Sequence, residues 1–146
     1  SMQMACKMYM ARAHLSRGEY ETAIELFREI LRSLEERPVD AFLGLPVLPA
    51  AWIGSSLASS LAELGTFEEA EARARAAIQQ AEASEQPDSI MWAYRGLGVV
   101  ALLRGQADEA VRVFERVLGL CRTHDLDAYV SRTMAAVCGG TSNARP

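Results

Sequence analysis

The sequence predicts an all-α fold: antiparallel helix pairs stacked into a superhelix, about three pairs long, with one further helix at the end. Two observations carry this expectation. Half of the 146 residues are hydrophobic, with Ala and Leu dominant and Val and Ile fewer; Ala and Leu keep most of their freedom in a helix, whereas β-branched side chains do not. A short signature also occurs three times, as Gly18-Glu19-Tyr20-Glu21-Thr22-Ala23, Gly65-Thr66-Phe67-Glu68-Glu69-Ala70 and Gly105-Gln106-Ala107-Asp108-Glu109-Ala110, with the glycines 47 and 40 residues apart.

The hexamer has the chemistry of a tight turn between two helices. Gly supplies the positive φ that ends the first helix. Acidic residues then fall in the first turn of the second helix, at the positive end of its dipole. Ala lets two helices approach. Four residues later stand Phe27, Ala74 and Phe114, and three further on Ile30, Ala77 and Val117, which is one face of a helix. Seven residues before each glycine stand Ala11, Ala58 and Gly98, small residues suited to a helix crossing. Eight before stand Met10, Leu57 and Leu97, which read as core.

This spacing places helices at about 3–16, 20–36, 50–64, 67–84, 89–104, 107–123 and 127–138. The repeats then cover about 3–37, 50–85 and 89–124, within one domain spanning 1–140; residues 141–146 are expected to form a disordered tail. Pro38, Gly44, Pro46 and Pro49 prevent a regular helix between the first two repeats, yet Phe42, Leu43, Leu45, Val47 and Leu48 suit a segment packed across the end of repeat one. Asp88 or Ser89 is the expected N-cap of the fifth helix. Asp127 would cap the last helix and Gly139-Gly140 would end it. Ser1-Met2 has the look of a tag remnant and is set aside.

With these residues in place, the pattern resembles the tetratricopeptide repeat. Tyr94, Leu97, Gly98, Gly105, Ala110 and Phe114 match it best. Gly18, Tyr20, Ala23 and Phe27 carry the first repeat, and Leu57, Ala58, Gly65, Phe67 and Ala70 the second. The resemblance covers roughly residues 4–124. It implies a right-handed superhelix and a protein-binding role, with a longer repeat spacing than the family's usual ~34 residues. A narrower resemblance, through Leu45-Pro46-Val47-Leu48-Pro49, residues 62–70 and Leu118-Gly119-Leu120-Cys121-Arg122, is to the C-terminal repeat region of large bacterial signalling ATPases. It implies a piece of a longer regulatory chain that often carries an adenylate-cyclase or DNA-binding domain. None of the ATPase or cyclase motifs is in this sequence.

Other chemistry finds little support. A formal charge of −4 argues against nucleic acid as a partner, because phosphate binding needs a basic face. No apolar run reaches the ~18 residues needed to cross a bilayer. The three cysteines, Cys6, Cys121 and Cys138, read as free thiols packed as small hydrophobes in a reducing cytoplasm. His14 and His124 lack metal-ligand spacing, and Cys121 with His124 makes at most two ligands. His14 reads as a packing or interface residue. Gly96-Leu97-Gly98 lies inside a helical period and is followed by no Lys-Ser or Lys-Thr, so it is no phosphate loop. Glu35-Glu36 and Glu68-Glu69 read as solvated charge. Arg28, Glu29, Arg32 and Glu35 read as an exposed face with pairing along the helix. No catalytic residue, metal or cofactor is expected.

The first helices of the pairs line the inner surface of a repeat solenoid. In frame with the turn glycines, they direct Tyr9, Arg12 and Ser16, then Trp52, Ser55, Ser56 and Ser59, then Trp92, Arg95 and Val99 towards it. Trp52 and Trp92 are 40 residues apart, like the later two glycines. Trp and Arg are favoured interface anchors, so Tyr9, Arg12, Trp52, Ser55, Ser56, Ser59, Trp92 and Arg95 form the candidate binding set for a peptide or protein. The competing placement packs both tryptophans between repeats. The alternative function is a structural spacer or oligomerisation segment of a multidomain sensor. Met2, Met4, Met8, Tyr9 and Met10 at one end, and Tyr129, Val130, Met134 and Val137 at the other, suggest self-association through a terminal helix.

Overall fold

In the computed structural model, residues 2–37 and 48–125 are described, and they form six helices. These are α1 (Met2–Ser16), α2 (Tyr20–Glu36), α3 (Pro49–Glu63), α4 (Phe67–Ser84), α5 (Pro87–Leu103) and α6 (Ala107–Thr123). They are antiparallel neighbours arranged in pairs as a repeat-like superhelix. Within each pair α1 lies on α2, α3 on α4 and α5 on α6; between pairs α2 packs on α3, α4 on α5, and α3 directly on α5. The expected helix at 127–138, the tail and most of the apolar connection before α3 lie outside the described residues.

The recurrent hexamer builds the same turn three times. Gly18, Gly65 and Gly105 have φ of 76°, 79° and 84°. The amides of Glu19, Thr66 and Gln106 donate back to the carbonyls of His14, Leu61 and Ala101, and the glycine amides donate to Leu15, Ala62 and Leu102. This paired closure satisfies carbonyls left over at a helix end, and it requires a left-handed residue at the glycine position. The next helix opens at once: the amides of Ala23, Ala70 and Ala110 donate to Glu19, Thr66 and Gln106.

The second helices bury the face that their periodicity marks, namely Ala23, Phe27 and Ile30, then Ala70, Ala74 and Ala77, then Ala110, Phe114 and Val117. Ala11, Ala58 and Gly98 are buried at the crossings. A β-carbon at Gly98 would lie 2.9 Å from the Phe114 ring, so the ring occupies the space a larger residue would need. Leu57 and Leu97 are core, but Met10 is 53% exposed. Leu97 faces the preceding second helix, beside Glu71 and Arg75. Among the described residues no second helix packs on Met10, so the core expectation is corrected there.

Three further expectations are corrected. Pro87, not Asp88 or Ser89, opens α5, with Gln86 as N-cap; proline suits the first helical position because it needs no amide there and its φ is already helical. Ser89 is buried and accepts a hydrogen bond from the Leu48 amide at 2.8 Å, tying the start of α3 to the start of α5. Arg28 and Glu29 pair across helices rather than along α2: Arg28 reaches Glu69 on α4 at 2.8 Å, and Glu29 takes Lys7 on α1. Of the cysteines, Cys121 is buried but Cys6 is exposed.

Candidate functional site

The site residues lie on α1, α3 and α5, and the fold brings several of them together across repeats. The Arg12 guanidinium stands over the Trp52 ring, 5.8 Å from its centre, linking the first helix of repeat one to that of repeat two. Arg95 lies over the Trp92 ring at 5.2 Å. Trp52 is half-buried and packs against the cluster that holds Trp92. These ring faces carry negative potential, so a guanidinium above them is attracted while its edge stays available for a carboxylate.

The two tryptophans do not share one environment. Trp92 is 9% exposed and is packed with Met91, Val117 and Cys121. It belongs to the interior between α5 and α6, and the expectation that it offers its face to a ligand is corrected. Ser55 is also interior, at 1% exposed. Its hydroxyl sits where α3 meets α5: a β-carbon at Gly96 would come within 2.5 Å of Ser55 Oγ. Among the described residues that oxygen has no hydrogen-bond partner. Ser55 therefore belongs to the crossing and cannot act as an open groove hydroxyl.

Ser56 and Ser59 are half-buried, and both hydroxyls donate to carbonyls one turn back, on Trp52 (2.9 Å) and Ser55 (3.0 Å). Ser16 does the same to Arg12 at 3.0 Å. Back-bonded hydroxyls keep acceptor capacity, so they would receive, rather than give, a ligand hydrogen bond. Tyr9 is 64% exposed, Arg12 is exposed and Arg95 is half-buried. His14, read as an interface residue, contacts Glu19 in the following turn; its hydrogen bond, more than the neighbouring Arg17 charge, holds the Glu19 carboxyl below the ordinary range.

Other features lock repeats together. Tyr94 on α5 donates to Glu82 on α4 at 2.7 Å, and Arg116 on α6 lies 4.5 Å from its ring centre. The Tyr94 phenol is held above its usual range by burial first and by Glu82 next. The sequence signalled Tyr94 only as a repeat-pattern residue; its partners lie on two other helices. A cleft of about 640 Å³ between α4 and the α5–α6 turn is lined by Glu71, Arg75, Asp108, Glu109 and Arg112 among others. Four of these charged side chains are paired, Glu71 with Arg75 (and with Arg104 beside the cleft) and Glu109 with Arg112. None of the candidate set lines it. Among the described residues no group of three His, Cys, Asp or Glu side chains could hold a metal ion, and no helix is long and apolar enough to cross a membrane.

Charge is divided between the two kinds of helix. The first helices carry three Lys or Arg and two Asp or Glu, whereas the second helices carry seven and twelve. The chain's negative balance thus rides on α2, α4 and α6, and α1, α3 and α5 form the less acidic side.

Antiparallel helix pairs closed by glycine turns and packed pair on pair define a helical-repeat protein of the class that binds other polypeptides. Two tetratricopeptide repeat models match the chain, one over residues 49–123 and one over residues 10–40. The chain belongs to the tetratricopeptide repeat family. No curated protein and no solved structure matches it.

Proposed function

We propose that the chain is a protein–protein interaction module that takes a peptide or protein segment on the side formed by its first helices, at the seam between repeats one and two. The observation that carries this reading is the Arg12–Trp52 pair: a half-buried ring from α3 beneath an exposed guanidinium from α1. Trp gives a ligand contact area at little entropic cost, and Arg supplies a directional donor pair for a carboxylate. Ser56 and Ser59, on the same helix as Trp52, add acceptors without filling the space. The division of charge favours a ligand segment with acidic residues. Arg95 extends the site, and Trp92 supports it from behind.

The setting we propose is a cytoplasmic bacterial regulatory protein of which this chain is one part. The narrower resemblance to the repeat regions of large signalling ATPases supports that context. A second reading, an oligomerisation segment within such a protein, has one observation in its favour: the exposed Tyr9 and Met10 on α1.

The test is selection of a displayed peptide library on the whole chain, followed by titration of the enriched peptides against Arg12→Glu and Trp52→Ala. Acidic peptides carrying an apolar residue should emerge and should lose at least tenfold in affinity to each variant. Peptides that bind both variants as tightly as the parent would place the site elsewhere.

A further inference from the structure

We propose that the notch between α2 and α4, walled by Arg28, Arg32 and Arg73, binds a phosphoryl group carried on a segment of a partner protein. The notch lies on the second helices, whereas the Arg12–Trp52 seam lies on the first. One carboxylate organises it. Arg28 of α2 donates through one Nη to both oxygens of Glu69 on α4, at 2.8 and 2.9 Å. Arg73, one turn further along α4, shares that carboxylate at 3.9 Å, too far for a hydrogen bond. Glu69 thus serves two guanidinia and satisfies one. Arg32, one turn along α2 from Arg28, is exposed and has no ion pair among the described residues. A guanidinium offers five N–H donors, so Arg32 and Arg73 bring to one notch donors that no described carboxylate takes up.

Size and charge select the ligand. The notch holds about 160 Å³, with half-buried Leu31 beside the arginines. Sites that enclose a whole small organic ligand run to ~300–1,000 Å³, so this one admits a headgroup and leaves its carrier outside. Three guanidinia face two carboxylates, Glu69 and the exposed Glu35. The larger cleft beside α6 has the reverse balance, Glu71, Asp108 and Glu109 against Arg75 and Arg112. A ligand carboxylate would only duplicate Glu69. A phosphate monoester brings up to two negative charges and three acceptor oxygens. It can take donors from Arg32 and Arg73 together while Glu69 keeps Arg28. The surroundings decide the carrier. A membrane surface or a nucleic acid presents many phosphates at once, and the second helices, with twelve Asp or Glu against seven Lys or Arg, repel them. A single phosphoryl group flanked by lysines on a protein segment meets complementary charge throughout, anion to notch and cations to the surrounding glutamates.

The test follows the backbone amides of the full chain by two-dimensional proton–nitrogen NMR. A short phosphoserine peptide flanked by lysines is added, with its unphosphorylated form and inorganic phosphate as the other two arms. Shifts should centre on residues 28–35 and 69–73, and the unphosphorylated peptide should bind at least fivefold more weakly. Arg32→Gln and Arg73→Gln should each weaken the phosphopeptide at least threefold. Glu35→Gln, which removes an opposing charge, should tighten it at least twofold, and all three should leave melting unchanged. Arg32 is exposed, so Arg32→Gln decides the matter if Arg73→Gln disturbs packing. No shift in that region at several millimolar phosphopeptide overturns the proposal. So does equal binding of the unphosphorylated peptide, an affinity untouched by Arg32→Gln, or a shift pattern centred on Arg12 and Trp52. Inorganic phosphate that binds as tightly as the phosphopeptide overturns the protein segment as carrier.

Discussion

Trp52 and Trp92 stand thirteen residues before their turn glycines, yet replacing each by Ala should have different consequences. Trp92→Ala removes a ring that is 9% exposed and packed on Met91, Val117 and Cys121. The gap can close only by moving α6 against α5, so the loss should fall in the range of about 3–5 kcal/mol seen for large core truncations. Trp52 is half-buried and already has part of its ring in water. Its replacement forfeits part of that burial, plus an exposed cation–π contact worth roughly 0.5–1 kcal/mol, for a total near 1.5–2.5 kcal/mol. Urea unfolding followed by far-ultraviolet circular dichroism on the two single variants measures both. The Trp92→Ala free energy should fall by at least ~1 kcal/mol more than that of Trp52→Ala. For a selected peptide ligand the order should invert. Trp52→Ala should weaken binding by ~2 kcal/mol or more, whereas Trp92→Ala, under conditions where it stays folded, should weaken it less. Equal stability losses, or binding that follows Trp92 rather than Trp52, would refute the division of the two rings into groove and interior.

Gly65→Val places a β-branched residue at φ 79° and should cost more than ~1 kcal/mol; an unchanged urea midpoint would show that the turn relaxes freely. Gly96→Ala should cost ~2 kcal/mol or more, because its methyl would press on Ser55 where overpacking cannot be relieved by a flexible side chain. Adding Ser55→Gly should recover much of that loss, so additivity in the double variant would argue against the contact. Ser55→Ala alone, which removes a buried hydroxyl that has no partner among the described residues, should be neutral or stabilising by up to ~1 kcal/mol. Burial, more than the Asp88 charge, raises the Cys121 thiol above its ordinary range, so at neutral pH Cys6 should react with a maleimide far faster than Cys121, read out by peptide mapping.

Much of the fold is legible in the sequence because its signals are local. A left-handed glycine followed by acids and Ala defines a turn within six residues, and the Phe27, Ala74 and Phe114 series follows from helical period alone. The errors arise where a neighbour distant in sequence decides. Gly96 reads in the sequence only as part of a Gly-x-Gly run that is no phosphate loop; its reason is Ser55, one repeat earlier on α3. Met10 reads as core because Leu57 and Leu97 are core, but it is exposed because no described second helix packs on it as α4 does on Leu97. The two tryptophans read alike because register is all that sequence spacing conveys. Beside Trp92, α6 presents Val117 and Cys121, whereas the matching α4 positions are Ala77 and Ala81. Smaller side chains cover less of a ring, so one repeat position becomes interior in repeat three and half-open in repeat two.

That difference bears on where a ligand can be accommodated cheaply. α3 and α5 meet through Gly96 and Ser55 with their backbones close, so opening the seam between repeats two and three would break interior packing and uncover Trp92. Repeat one is joined to repeat two differently. Its main contact is α2 on α3, reinforced by the Arg28–Glu69 pair, and α1 adds the side-chain contact of Arg12 with Trp52 at 5.8 Å. A partly exposed cation–π contact is worth at most about 1 kcal/mol, and a carboxylate reaching Arg12 can replace it with a charge-assisted hydrogen bond. The seam between α1 and α3 can therefore admit a ligand side chain at little cost to the core, while the α3–α5 crossing holds the rest of the surface rigid. Stiff backing behind one adjustable contact is the arrangement expected of a recognition surface, and in this fold it occurs at Arg12 and Trp52.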